Sequence, residues 1–253
     1  MDRDAAIERH RGALMSFVRL VGGGTGTSRV LEPDGVTASV VPAVPGRSMV
    51  NSVAYRDASS LEAAMDDLAA AYEDAGVRAW TVWVPEGDRD VTAMLEAAGH
   101  RLDATPTAMM AELDRVALAD EDGLDWGVGA RADDMGRIND LAYGWVEGTF
   151  VRAMERFGRL EALRLYEARV GGEPVCVLGA YDNDDDCEVY FVATLPDHRG
   201  RGLARRLVSR ALSDARERGL AFSSLQATAM GYPIYERLGY EPICTLEMWE
   251  RRK

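Results

Sequence analysis

Lysine is nearly missing from this sequence of 253 residues: Lys253 is the only one. Arginine takes its place, which reads as a habit of genomic base composition and not as chemistry. Cysteine is sparse, and Cys176, Cys187 and Cys244 follow no regular spacing. Neither a disulfide framework nor a zinc motif is therefore spelled out. Cys176 and Cys244 sit in apolar surroundings and are expected in the core. The three histidines, His10, His100 and His198, lie far apart, so a histidine-based metal site or a Ser/His/Asp triad has no support; no metal is expected. No apolar run approaches the ~20 residues of a membrane span, and the opening Met1-Asp2-Arg3-Asp4 is not a secretory leader. The expectation is a cytoplasmic protein with no membrane partner. A net charge of −13 argues against nucleic acid as a partner.

What the sequence does hold is a strand, a turn rich in glycine and arginine, and a helix in succession. Residues 188–195 (EVYFVATL) are β-branched and aromatic, which predicts a buried strand. Residues 196–202 contain Pro196, Arg199, Gly200, Arg201 and Gly202, a turn composition. From Leu203 on, Leu207, Val208, Ala211, Leu212 and Ala215 trace one helical face. The N–H groups of a helix's first turn have no internal partner, and the aligned peptide dipoles add partial positive charge there. Glycine lets a ligand approach the main chain closely. The junction is therefore an anion site suited to a diphosphate. No Gly-Lys-Ser/Thr ends the turn, which excludes a Walker loop, and Arg205 stands where the dinucleotide fingerprint needs its last glycine.

A second signature follows. Gly231-Tyr232-Pro233-Ile234-Tyr235-Glu236-Arg237-Leu238-Gly239-Tyr240 reads as a short helix with Pro233 in its first turn and Gly239 at its stop. The pattern Arg199-x-x-Gly202-x-Ala204, with Tyr-Glu-Arg-Leu-Gly-Tyr after it, resembles the acyl-CoA motif and tyrosine signature of the GNAT superfamily of acetyl-CoA-dependent N-acyltransferases. The resemblance runs from Leu124 to the C terminus. It implies an α/β (α+β) fold with a mixed, mostly antiparallel central sheet flanked by helices. It also implies acetyl-CoA as cosubstrate and a small-molecule or peptide amine as acceptor. By the same resemblance, the cofactor contacts fall on Val192, Ala193 and Thr194 for the pantetheine arm and acetyl oxygen, and on Arg199, Gly200, Arg201, Gly202, Leu203 and Ala204 for the pyrophosphate. Thr228 is the nearest candidate for the family's polar residue ahead of the tyrosine motif, which this sequence otherwise lacks.

The resemblance makes Tyr235 the general acid, and a phenol with a pKa near ~10 is protonated at neutral pH and able to serve a departing thiolate. The base comes from the residues alone. Glu188 shares a strand face with Tyr190 and Val192 unless a bulge intervenes; Asp140 and Glu147 on the preceding helices are its rivals. A module that binds CoA without turnover is the alternative function.

Read in order, residues 4–21 predict an amphipathic helix, and the glycine-rich 22–27 (GGGTGT), lacking lysine, a flexible connection. Strands are expected at 38–44 and 50–55, a helix capped by Ser59 or Ser60 to about 75, a strand at 79–84, a helix at 91–98 and a strand at 105–113. Residues 116–125 form the linker. After it come a strand at 126–130, helices at 135–144 and 146–157, hairpin strands at 163–170 and 175–181, and an acidic turn at 182–186. That turn lacks the glycine and glutamate of a calcium loop. Leu95 aligns with Tyr235 and Gly76 with Gly219 at nearly equal offsets, which suggests duplication. Two domains result: residues 1–118, a degenerate copy without the arginine/glycine turn, and residues 119–253, the catalytic one. The first copy is expected to cover a sheet edge, wall the acceptor pocket or mediate a homodimer.

Overall fold

Side-chain periodicity puts helices and strands close to where they form, and proline and glycine trim their ends. The computed structural model describes residues 3–120, 122–146 and 148–253. In chain order the elements are α1 (Arg3–Gly22), β1 (Arg29–Leu31), β2 (Val36–Val40), β3 (Ser52–Tyr55), α2 (Ala58–Asp74), β4 (Ala79–Pro85), α3 (Arg89–Ala97), β5 (Arg101–Ala104) and β6 (Thr107–Glu112). They continue with β7 (Asp125–Val128), α4 (Ala132–Tyr143), α5 (Thr149–Ala153), β8 (Leu163–Val170), β9 (Glu173–Asn183), β10 (Asp186–Thr194), α6 (Leu203–Glu217), β11 (Phe222–Ala227), α7 (Tyr232–Glu236) and β12 (Glu241–Arg252).

Strand β2 ends at Val40, short of the expected 44, because Pro42 and Pro45 cannot donate to a ladder. The strand expected over 105–113 is β6, which starts only after Pro106 for the same reason, and the short strand β5 ahead of that proline was not expected. The cap of α2 is Asp57, whose side chain accepts from the Ser60 N–H. The turn after β9 shrinks to Asp184 and Asp185, with Asp184 at φ +52°. Asp182, expected in a solvated turn, instead receives Arg164 at 2.5 Å and Arg218 at 2.7 and 2.9 Å. Cys176 and Cys187 are buried, and Cys244 is only half-buried.

The contacts divide the chain into two compact units, Met1–Thr107 with Ile243–Lys253, and Ala108–Pro242. A cut between 118 and 119 separates the halves of the sequence, whereas the contacts give the last strand to the first unit. In that unit β12 lies antiparallel to β4, with Leu246 opposite Pro85 and Arg252 opposite Ala79. Strands β1, β2 and β3 are antiparallel neighbours, and β3 runs parallel to β4. Leu61, Ala64, Leu68 and Tyr72 of α2 join Val36, Ala38, Val40, Val53 and Val82 of the strands in the core of this unit.

The second unit has the strand order β6-β11-β10-β9-β8-β7. Strands β7 to β10 are antiparallel neighbours, and β10 and β11 are parallel. Helix α6 buries the expected stripe, Leu203, Leu207, Val208, Ala211, Leu212 and Ala215, against Cys176, Leu178, Cys187 and Val189 of the sheet. At about 25 cal/mol per Å² of apolar area, burying each leucine of such a stripe stabilises by roughly 2 kcal/mol. Both units thus share a strand, a helix, a parallel strand and a shorter helix in that order: β3-α2-β4-α3 and β10-α6-β11-α7.

Helices α4 and α5 meet at Gly136, where an added Cβ would stand 2.3 Å from the Val151 side chain and 2.9 Å from its main chain. Gly136→Ala should therefore cost on the order of 2 kcal/mol through overpacking, seen as a lower urea midpoint. His100 is fully buried, with its ring edge-on to Trp80 at 4.5 Å and its Nδ1 3.2 Å from the Leu95 carbonyl. Burial lowers its pKa from 6.5 to about 4. The folded protein then binds this proton less readily than the unfolded chain. The stabilisation is complete above about pH 6.5 and is lost as pH falls toward 4, up to about 3 kcal/mol. His100→Phe should flatten the fall in melting temperature across that window.

Candidate functional site

The site is built where β10 parts from β11. Their parallel ladder holds only Asp186, Cys187 and Glu188 against Phe222, Ser223 and Ser224. Both strands continue, to Thr194 and Ala227, without further pairing to each other. Parallel strands that lose their ladder leave main-chain groups facing the wedge between them. On its other side β10 stays paired with β9, but the register shifts between Tyr190 and Ala193. Phe191 sits in the shift with φ +55°, a conformation rare for a bulky residue.

Aromatic packing holds that bulge. The Phe191 ring lies 4.9 Å from Phe150, 5.3 Å from Phe157 and 5.9 Å from Tyr190. The Asn139 side chain on α4 donates to the Phe191 carbonyl at 3.3 Å. The bulge also breaks the alternation expected along the strand. Tyr190 and Glu188 share a face and are hydrogen-bonded, whereas Val192 packs with the core cluster that includes α6.

The turn after β10 has the geometry of an anion site. Gly200 and Gly202 have φ of +75° and +73°, and an added Cβ at either would meet nothing within 4 Å. The two glycines thus serve a left-handed backbone, and the space over them is open. The first main-chain bond closing α6 is donated by the Arg206 N–H to the Gly202 carbonyl, at 3.1 Å. The N–H groups of Leu203, Ala204 and Arg205 precede it and belong to the helix's partnerless first turn. A helix of 15 residues aims its dipole at the same place.

The seven arginines from 199 to 218 do not share one role. Arg206 donates to the Asp120 and Asp122 carbonyls, Arg210 pairs with Asp214, Arg216 donates to the Leu113 carbonyl and Arg218 holds Asp182. Arg206, Arg216 and Arg218 tie α6 to its surroundings, and Arg210, paired within the helix, also lies over the Trp126 ring at 5.3 Å. Around the turn are Arg201, which donates to the Asp197 carbonyl at 3.2 Å, exposed Arg205, and Arg199. Arg199 spans from the Thr194 carbonyl, at 3.3 Å, to the Ala142 carbonyl at the end of α4, at 2.6 Å. Its guanidinium therefore links the turn to α4.

Tyr235, in α7, is buried to 8 % exposure, and no hydrogen bond to its hydroxyl is found among the described residues. Burial pushes its pKa far up, and the neighbouring Tyr143 and Cys176 add to the rise, so the phenol keeps its proton. Tyr143 in turn donates to the Val192 carbonyl at 3.3 Å, and Cys176 receives the Thr194 hydroxyl at 3.2 Å. Tyr235, Tyr143, Val192 and Thr194 are thus brought together at the wedge. Thr228 is exposed and its hydroxyl accepts the Gly231 N–H at 3.2 Å, which caps the turn into α7.

Glu188 is fully buried, one carboxylate oxygen taking the Asn183 amide at 2.8 Å and the other the Tyr190 hydroxyl. Asp140 is also buried; its Oδ1 accepts the Phe150 N–H at 2.8 Å, which anchors α5. Glu147 lies outside the described residues. Sequence reasoning missed Tyr143, Asn139 and Tyr190; only the helical placement of the first two was legible. Among the described residues no group of histidine, cysteine or carboxylate side chains is arranged to hold a metal ion, and no helix is long and apolar enough to cross a membrane.

Residues 187–243 match the family model described as an acetyltransferase (GNAT) domain. Over 59 residues the chain is 42 % identical to an uncharacterized N-acetyltransferase of Streptomyces griseus, a match covering 23 % of this chain and 14 % of that protein. The chain thus spans only a small part of that relative. The fold is similar to a GCN5-related N-acetyltransferase from Kribbella flavida, with TM-score 0.70 and 19 % identity over 95 % of this chain and 94 % of the other. It is also similar to a tandem GNAT protein from the clavulanic acid biosynthesis pathway, with TM-score 0.55 and 14 % identity over 96 % and 94 % of the two chains. At these identities the structures speak for the fold alone. The matched stretch holds the splayed strand, the open turn and the buried tyrosine: residues 187–243 match the GNAT acetyltransferase domain model, within a chain whose fold is that of GNAT proteins.

Proposed function

We propose that this chain is an N-acetyltransferase that moves the acetyl group of acetyl-CoA to a primary amine of a small molecule or peptide by direct attack in a ternary complex. The observation that carries the reading is the wedge itself. An open glycine turn at a helix N-terminus, an unpaired strand edge and a buried phenol converge there. The turn at 199–204 suits the pyrophosphate, and Val192, Ala193 and Thr194 offer main-chain groups to the pantetheine arm and the acetyl oxygen. Acetyl-CoA is a cytoplasmic substrate, and we assign the protein to that compartment.

In the reaction the neutral amine nitrogen attacks the thioester carbonyl carbon. A main-chain N–H of the bulged strand stabilises the oxygen as it gains charge. The C–S bond then breaks, and its electron pair leaves with sulfur. Tyr235, kept protonated by burial, gives its proton to that thiolate. Glu188 takes the amine's proton through a water and remains the base in this reading.

We also read the first unit as a degenerate copy. The repeated order of elements supports it, as does the N-terminus of α2. There the Ser59 hydroxyl, the Ser60 N–H and the Ser60 hydroxyl hold the Asp57 carboxylate, with its pKa down at about 2. A carboxylate of the chain itself occupies the position that an incoming phosphate takes at α6.

Isothermal titration should give one acetyl-CoA per chain, with binding abolished by Arg199→Glu combined with Gly202→Glu. A free-thiol release assay over an amine panel should then find an acceptor. Binding without release for any amine favours the alternative module, and no binding refutes the site. Tyr235→Phe should lower kcat by about 10²–10³ with little change in the acetyl-CoA Kd.

A further inference from the structure

A carboxylate that works as a base must stay ionised, and burial opposes that. Glu188 is fully buried on β10. Asp186 is two residues away on the same strand face and is itself buried, so a like charge adds to the difficulty. Two neutral donors act the other way, Tyr190 on one carboxylate oxygen and Asn183 on the other. Hydrogen bonds to the charged form favour it. Tyr190 is 4 % exposed, and its ring lies tilted beside Phe191 at 5.9 Å, next to the bulge. A phenol two residues along the strand thus connects the carboxylate with the point where the strand turns toward the wedge.

We propose that Tyr190 is a positioning residue for Glu188: its hydroxyl fixes the carboxylate's orientation toward the bulge and keeps it ionised in a buried site. The inference rests on Glu188 being the base. Burial first, and then the Glu188 charge, push the Tyr190 pKa well up, so the hydroxyl remains a donor across the working pH range. Other groups lie around the pair. From β9 come Tyr181, the register partner of Glu188, and Asp182, which is held by Arg164 and Arg218. From β11 comes Ser224, also in register with Glu188. On α4, which packs on β10, Asp140 is engaged with the Phe150 N–H. Helix α6 packs on the opposite face, with Cys187 and Val189. The two donors identified on the Glu188 carboxylate, a phenol and an amide, are both neutral, and each supports its charge through a hydrogen bond.

The test is the pH dependence of kcat in the intact protein, with Tyr190→Phe, Asn183→Ala and Glu188→Gln, after circular dichroism melts confirm folding. Tyr190→Phe removes one oxygen and keeps the ring. It should lower kcat about tenfold and move the acid limb of the profile up by about one pH unit. The Kd for acetyl-CoA should stay unchanged. Asn183→Ala should move the limb in the same direction, and Glu188→Gln should remove the limb with a larger loss of rate. If Glu188→Gln keeps both rate and limb, the base reading fails and this inference falls with it. If Glu188→Gln is inactive but Tyr190→Phe leaves the limb in place, the base stands and Tyr190 is only packing.

Discussion

Everything at the site depends on where one ladder stops. Two parallel strands gain a hydrogen bond for each main-chain group they align, so leaving a ladder after three register pairs requires compensation. The compensation is local. Phe191 takes a conformation that costs of order 1 kcal/mol or more for a non-glycine residue, and its ring is held by Phe150, Phe157 and Tyr190 while Asn139 caps its carbonyl. Once the bulge is in place, the strand edge faces the wedge, the turn follows, and α6 points its N-terminus there. The open turn and the placement of the phenol follow from that departure.

Arg199 shows how one side chain ties two parts of the site. Its two carbonyl contacts, Thr194 and Ala142, join the end of the bulged strand to the end of α4. The Tyr143 hydroxyl makes a parallel link to Val192. Helix α4 is thereby held to β10 through main-chain oxygens, with α5 fixed to it by the close approach at Gly136 and by Asp140. Any ligand that draws the guanidinium toward the turn acts on both elements at once.

Much of this is legible in the sequence, for identifiable reasons. The strand, turn and helix at 186–217 follow from a β-branched run, paired glycines and a 3.6-residue apolar stripe, all local signals. Tyr235 is legible because its motif is contiguous. The bulge is not: nothing in Tyr190-Phe191-Val192 marks a register shift, because it is decided by aromatic rings contributed from α5 and the turn after it. The roles of the arginines are equally hidden. Arg206, Arg210, Arg216 and Arg218 share a composition with Arg199 and Arg201, and only their distant partners, such as the Leu113 carbonyl or Asp182, separate structure from site. The strand break at Pro106 is readable in principle, since proline lacks the donor a ladder needs.

The assignment of residues 243–253 to the first unit has a meaning for how the chain is made. Strand β4 presents its edge to β12, which follows the whole second unit in the sequence. During vectorial synthesis the first unit therefore waits, with an unpaired and apolar strand edge, until the entire second unit has left the ribosome. Such edges are templates for wrong pairing. Nascent chains therefore face an aggregation hazard until β12 has emerged, and the order that synthesis imposes lets the second unit settle before the first one closes.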